Sequence, residues 1–289
     1  MKKVVFTSVI AMSLIAGSAF AGPRPQILDI RGFVGVLEYR TSGHDELSLE
    51  IKQGRKIRAN AIAFSKGMLV TSDIGRINNI SCEKRGNDQI LKINGQKYYP
   101  EDLPKIIAKG SDRDGLRIKN SEISVRAGDV GGAAIEVSGC GDIIIGNVKN
   151  SLELNGSGSG DFMARDVGKD ALVDISGSGD VKLGRVGNFL SLNLSGSGDS
   201  EVGDIQGRAN VDVSGSGNVE IASAKDLQLQ ASGSGDIKVK GGKGAINARL
   251  SGSGDIEYRG TAVNPVVRSY GSGEVKFNNI SGASDIRNN

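Results

Sequence analysis

From Ala133 onward, apolar residues fall into columns that return down the chain at a nearly constant interval. Counted from a recurring acidic position, the seventh residue upstream reads Ile135, Leu154, Val173, Leu192, Val211, Leu229, Ala248 and Val267. The ninth upstream reads Ala133, Leu152, Ala171, Leu190, Ala209, Leu227, Ile246 and Pro265. Most residues of the fifth are also apolar, from Val137 through Ile175, Leu194 and Val213 to Leu250. Columns two residues apart predict a strand with one buried face. Downstream, apolar columns stand one and three residues on, as in Phe162 and Ala164, Val181 and Leu183, or Val219 and Ile221, and predict a second short strand. A further column six residues on holds Val148, Val167, Val186, Ile205 and Ala224, breaks at Gly242 and Thr261, and resumes at Ile280. The intervening positions are mostly Lys, Arg, Glu, Asp, Ser and Asn, so each period has an inward and an outward side.

Between the two strands of each period lies a short motif: Ser138–Asp142, Ser157–Asp161, Ser176–Asp180, Ser195–Asp199, Ser214–Asn218, Ser232–Asp236, Ser251–Asp255 and Tyr270–Glu274. Most copies read SGSG followed by Asp or Asn, and they start 19 residues apart six times and 18 once. A fixed period near 20 residues is the signature of a solenoid. One coil cannot bury its own apolar face, whereas coils stacked in register bury it and pair each backbone with its neighbours. The predicted fold is all-β, a right-handed single-stranded parallel β-helix, because parallel crossovers are right-handed in nearly all cases. The glycines are expected at tight corners, where positive φ suits them. The serines are small enough to stack there and can bond local backbone.

Four segments are expected. Residues 1–21 read as a signal peptide: Lys2 and Lys3, an apolar run over Val4–Ile15, and Ala19-Phe20-Ala21 as the cleavage site. Residues 22–110 read as a β-rich capping section with strands over Ile27–Tyr39, Glu46–Ile51, Ile57–Phe64 and Met68–Val70, and an irregular connection over Tyr98–Ile107. Residues 111–280 carry the β-helix, and 281–289 form a short polar tail, either a modest cap or frayed. No apolar run beyond the signal approaches the ~20 residues that span a bilayer. The chain is therefore expected to be exported, to the periplasm or the cell surface, with no integral membrane segment.

With 36 basic and 33 acidic residues and no basic block, nothing gives nucleic acid an electrostatic footprint. The chain has 43 glycines, no tryptophan, seven phenylalanines and five tyrosines, so few aromatic faces are available to stack on sugars or bases. Cys82 and Cys140 are the two cysteines. For an exported chain an even pair points to a disulfide rather than two buried thiols. Cys140 takes the slot held by Ser159, Ser178, Ser197 and their successors, so a bond to Cys82 would staple the N-terminal section to the first clear coil.

The signal peptide, the strand-rich stretch with Phe33–Tyr39 (FVGVLEY) and the serial SGSGD units together resemble the bacterial GIN-domain family of autotransporter-adhesin heads. The resemblance covers most of the chain after the signal. It implies a right-handed parallel β-helix at or beyond the cell envelope and an adhesin-like role. The chain departs from the large-autotransporter plan in that no C-terminal membrane β-barrel is expected after the repeats, so surface retention would require another component.

The acidic column is the sharpest candidate site: Asp142, Asp161, Asp180, Asp199, Asp236 and Asp255, with Asn218 and Glu274 in the same register. Stacked carboxylates repel unless compensated. Backbone N–H and Ser hydroxyl donors would compensate them as turn caps. Ca²⁺ bridging adjacent coils would do so as well, but only one turn per period carries the motif, and the opposite turn, such as Gly184-Arg185-Val186-Gly187, is no ligand set. The turn reading is favoured. No catalytic constellation stands out: the acids form a monotonous ladder, the single histidine His44 lies in a loop, no G-x-S-x-G elbow exists, and no base accompanies Cys140. The motif also lacks G-x-G-x-x-G spacing. Outward Lys182, Arg185, Lys238, Lys240, Arg249 and Arg259 read as a solvated face rather than a wall for anionic glycans.

The reading is a non-enzymatic, envelope-associated, adhesin-like binding or scaffold module without a cofactor, whose partners are envelope glycans or proteins. The alternatives are a polysaccharide-acting enzyme and a Ca²⁺-stabilised repeat protein.

Overall fold

The computed structural model describes residues 24–43, 46–85 and 88–288. The expected signal peptide, His44 and the last residue of the tail lie outside the described residues. Among them every regular element is a strand apart from one 3-10 turn at Pro100–Asp102. The fold is a parallel β-solenoid, and it divides into two compact units, residues 24–146 and 147–288.

The first unit holds β1 (Ile27–Arg31), β2 (Val34–Thr41), β3 (Ser48–Lys52), β4 (Ala59–Phe64), β5 (Gly67–Ser72), β6 (Ile80–Arg85), β7 (Asp88–Ile93), β8 (Gln96–Tyr98), β9 (Lys105–Gly110), β10 (Gly115–Ala127), β11 (Gly132–Gly139) and β12 (Ile143–Ile145). Its coils begin earlier than the sequence pattern suggests. β1 and β2 form a coil on which β10 lies in parallel, Ile27 opposite Gly115 and Glu38 opposite Arg126, across 88 residues of chain. On the other side of that coil lie β5, against β1, and β9, against β2, both parallel. β4 and β3 add antiparallel edges to β5 and β9. Residues 105–107, expected as the end of an irregular connection, instead open the paired strand Lys105–Gly110: Pro100 and Pro104 stop short of it, and Ile106 and Ala108 are buried. β10 continues upward onto β11 and β12.

Strands β6 to β8 form a separate antiparallel sheet that the apolar columns do not reveal. Its β7–β8 turn is Asn94-Gly95, with φ of 50° and 85°, the pair of left-handed residues that a tight hairpin requires. The sheet packs Leu91 and Ile93 against Val34 and Ile57.

The second unit is the repeat made regular. One face stacks β13 (Leu152–Gly158), β15 (Ala171–Gly177), β17 (Leu190–Leu194), β19 (Arg208–Val213), β21 (Asp226–Ala231) and β23 (Lys243–Leu250). The next face stacks β14 (Phe162–Ala164), β16 (Val181–Leu183), β18 (Ser200–Asp204), β20 (Val219–Ser223) and β22 (Ile237–Val239). β24 (Ile256–Ser269) runs through the corner and continues both faces. β25 (Val275–Ser281) and β26 (Asp285–Asn288) pair with it. The polar tail residues Asp285–Asn288 are thus strand, not fray. A third side is a line of single parallel bridges, Val148 to Val167 to Val186 to Ile205. The apolar columns are the core: Leu152, Ala171, Leu190, Leu192, Val211, Val219, Ile237 and Ile256 are buried. Each Leu- or Ile-sized side chain so buried contributes ~1.5–3 kcal/mol relative to exposure.

The motif glycines have a different cause from the one expected. Gly139 and Gly158, in the first two copies, are left-handed at φ 103° and 126°, but Gly179, Gly198 and Gly217 are not. They are required because each turn rests directly on the turn below: a Cβ on Gly198 would stand 2.0 Å from the Gly179 carbonyl oxygen, and one on Gly179 would stand 2.0 Å from that of Gly160. Steric contact between coils, not local backbone conformation, fixes the spacing of the motif.

Candidate functional site

The second unit carries a groove of about 640 Å³ along its β14–β22 face. Asp161, Asp180, Asp199, Asn218 and Asp236 form one bank, and Met163, Lys182, Glu201, Glu220 and Lys238 form the other. The geometry follows from the strand period. Column residues and those two places on share the outward side, while the residue between them, Phe162, Val181 or Val219, is buried.

The acidic column is a hydrogen-bonded ladder. Oδ1 of Asp161 accepts the backbone N–H of Asp180 at 3.0 Å, and Oδ1 of Asp180 accepts that of Asp199 at 2.8 Å. The series continues through Asp199 to Asn218 at 2.8 Å, Asn218 to Asp236 at 3.0 Å, Asp236 to Asp255 at 2.7 Å and Asp255 to Glu274 at 2.8 Å. Each side chain thus caps the turn that follows it by one coil. Asn218 serves as well as Asp because the bond uses one carbonyl-type oxygen. Serines of the motif back-bond in the same way: Ser195 and Ser214 donate to the Ile175 and Leu194 carbonyls at 3.4 Å. The Oδ2 atoms of Asp180, Asp199 and Asp236 take no hydrogen bond or ion pair from the described residues, and these side chains are exposed.

The opposite bank neutralises itself. Lys182 pairs with Glu201 at 2.5 Å, Lys238 approaches Glu257 at 3.9 Å, and Lys240 pairs with Glu220. Nearby, Arg185 pairs with Asp166 at 2.9 Å and Arg259 with Glu257 at 2.7 Å. The Lys240 hydrogen bond holds the Glu220 carboxyl below its ordinary range, and Arg259 does the same for Glu257. Most of these cations therefore have a carboxylate on an adjacent coil. The signal was in the sequence, since Lys182 and Glu201, like Asp166 and Arg185, are one 19-residue period apart. What remains unsatisfied along the groove is the outer carboxylate oxygen of Asp180, Asp199 and Asp236, on coils ~4.8 Å apart with the Asn218 coil interrupting the row.

The two cysteines lie in the first unit, where Cys82 of β6 and Cys140, just past β11, form a disulfide with Cα atoms 6.4 Å apart. This bond ties the small antiparallel sheet to the β10–β12 coil. Among the described residues no helix is long and apolar enough to cross a membrane.

Compared with known proteins, residues 66–243 match the family described as "Putative auto-transporter adhesin, head GIN domain". No curated protein matches the chain.

Proposed function

Because the chain belongs to the auto-transporter adhesin head GIN-domain family, which matches more than half of it, we propose that it is an exported, non-enzymatic binding module that holds a hydroxyl- or amine-rich envelope glycan along the groove of its second unit. The observation that carries this reading is the row of outward Oδ2 atoms on Asp180, Asp199 and Asp236 beside a groove of about 640 Å³. Ionised acceptors make hydrogen bonds roughly twice as strong as neutral ones. A polymer laid along the coils meets the same acceptor on three of four successive coils, the Asn218 coil offering an amide instead, so weak contacts multiply into avidity. An anionic polymer fits less well, because Lys182, Arg185, Lys240 and Arg259 are paired with carboxylates of the protein itself.

The alternatives draw less support. A bridging Ca²⁺ takes about six to eight oxygens, whereas each of Asp180, Asp199 and Asp236 has only its second oxygen left once the first caps a backbone N–H, and Asn218 has none. A glycosidase needs two carboxylates with different roles, whereas the ladder residues share one environment.

The test is binding of the purified full chain to intact cells, extracellular matrix and a panel of neutral, amino and acidic polysaccharides, with an unrelated β-protein as control. Retention on neutral or amino polymers above the control supports the reading. Retention on none, or on acidic polymers alone, overturns it.

A further inference from the structure

The first unit contains a second chemical cluster that the groove does not use. Glu122 lies on β10 just after a break in the β10–β11 register between Ile118 and Ser121. Asn120, at φ 48°, makes the bend, and Ser121, Glu122 and Ile123 are buried in succession because the strand is covered on both sides there. Past the bend Ile123, Val125 and Ala127 take the buried side of the strand, and Glu122 stands on the other side, level with Val34 and covered by the β6–β8 sheet.

That carboxylate, 2 % exposed, sits against the disulfide: one carboxylate oxygen of Glu122 and the Sγ atoms of Cys82 and Cys140 all lie within 4.8 Å of one another. Its Oε1 accepts the Cys140 N–H at 3.1 Å. Its Oε2 is buried with no hydrogen-bond partner. Gly139, at φ 103°, makes room for it, since a Cβ there would fall 1.7 Å from Oε2. A buried, half-satisfied carboxylate costs stability, so its place beside a disulfide calls for a reason.

We propose that Cys82–Cys140 is a thiol–disulfide exchange site and that Glu122 is its proton donor and acceptor. The substrate class is a dithiol, on a protein or a small molecule. Cys82 is the least buried of the cluster and the point of attack. The incoming thiolate forms a bond to Cys82 Sγ, the Cys82–Cys140 bond breaks, and Cys140 Sγ leaves with the electron pair. The protonated Glu122 carboxyl gives its proton to that sulfur and becomes ionised. The second thiolate of the dithiol then attacks the mixed disulfide and releases Cys82 as thiolate. The cystine has gained two electrons, and the dithiol has become a disulfide. In the reverse direction the Glu122 carboxylate takes the Cys140 thiol proton. Burial favours the protonated acid that the forward step needs, against the two amides that favour its anion. Reduction would release the β6–β8 sheet from its covalent tie to the β10–β12 coil.

The test is the rate at which dithiothreitol reduces the native full chain at pH 7, followed by alkylation and mass shift, for the wild type and Glu122→Gln. Glutamine keeps the shape and an oxygen for the Cys140 amide but has no proton to give. The expected result is a tenfold or larger slowing in Glu122→Gln, with equal rates for both proteins in denaturant. A carboxylate with a purely packing role predicts the opposite sign, since losing it loosens the site and speeds reduction, so an equal or faster native rate overturns the proposal. Should Glu122→Gln fail to fold, Glu122→Asp withdraws the carboxyl by one methylene and is expected to slow the reaction in the same direction.

Discussion

The backbone N–H of Asp199 donates to Oδ1 of Asp180, one coil earlier, at 2.8 Å. That bond assigns the repeated acid a structural task that uses only one of its two oxygens, and it separates shape from charge. Asp180→Asn keeps the acceptor and is expected to leave thermal stability within about 0.5 kcal/mol of the wild type. Asp180→Ala removes the acceptor and is expected to cost about 1 kcal/mol. Chemical denaturation of both variants checks the contrast. Equal losses would mean that charge, not the cap, is what the column supplies.

The stacking glycines make a sharper demand. At Gly198 a Cβ would press on the backbone of the coil below. Gly198→Ala is therefore expected to destabilise by about 1–3 kcal/mol, the cost of overpacking a close contact. Gly75→Ala, where a Cβ meets nothing within 4 Å, serves as control and is expected to be neutral. Denaturant midpoints of the two variants decide it.

Ser200 breaks an apolar column. Its neighbours in register are Val181 and Val219, its side chain is buried, and its hydroxyl has no hydrogen-bond partner. Ser200→Val removes a buried unpaired hydroxyl and adds apolar contact, so a gain of about 1–2 kcal/mol is expected. A loss on calorimetry would show that the site cannot take the extra volume.

Glu122 makes stability depend on pH. It faces Cys82 of β6 and Cys140 beyond β11, and its partner in register on β2 is Val34. Burial pushes its pKa up to about 7, against the N–H groups of Cys140 and Gly141. Because the folded value is raised above the unfolded one, the folded state binds the proton more tightly. Its contribution is present below the unfolded pKa near 4.5 and is lost as pH rises through about 7. The wild type is expected to lose about 3 kcal/mol relative to Glu122→Gln between pH 4 and pH 8. Parallel pH profiles for the two proteins would contradict this.

The coils of the second unit were legible because one short period is repeated with little wear, and each apolar column in the sequence is a line of side chains in the core. The first unit was less so. On one side the partners of β1 and β2 lie 88 residues away in β10, and no local period announces pairing over that distance. The β6–β8 sheet was missed although Asn94-Gly95 marked its hairpin, because its strands follow no column. The acidic column was found and its capping role foreseen, while the cation–carboxylate pairs at the same 19-residue offset went unread. Glu122 could not be read at all: its burial depends on the β6–β8 sheet, itself unread, covering the outer side of β10.

The central claim is that the outer oxygens of the acidic ladder hold the ligand. The most direct measurement compares binding of the wild type and the triple variant Asp180→Asn, Asp199→Asn, Asp236→Asn on whichever neutral or amino polysaccharide retains the wild type. Asparagine preserves the caps and removes the outward charge. The account predicts at least tenfold weaker binding with an unchanged melting temperature. Undiminished binding by the triple variant would contradict it and move the ligand off the groove.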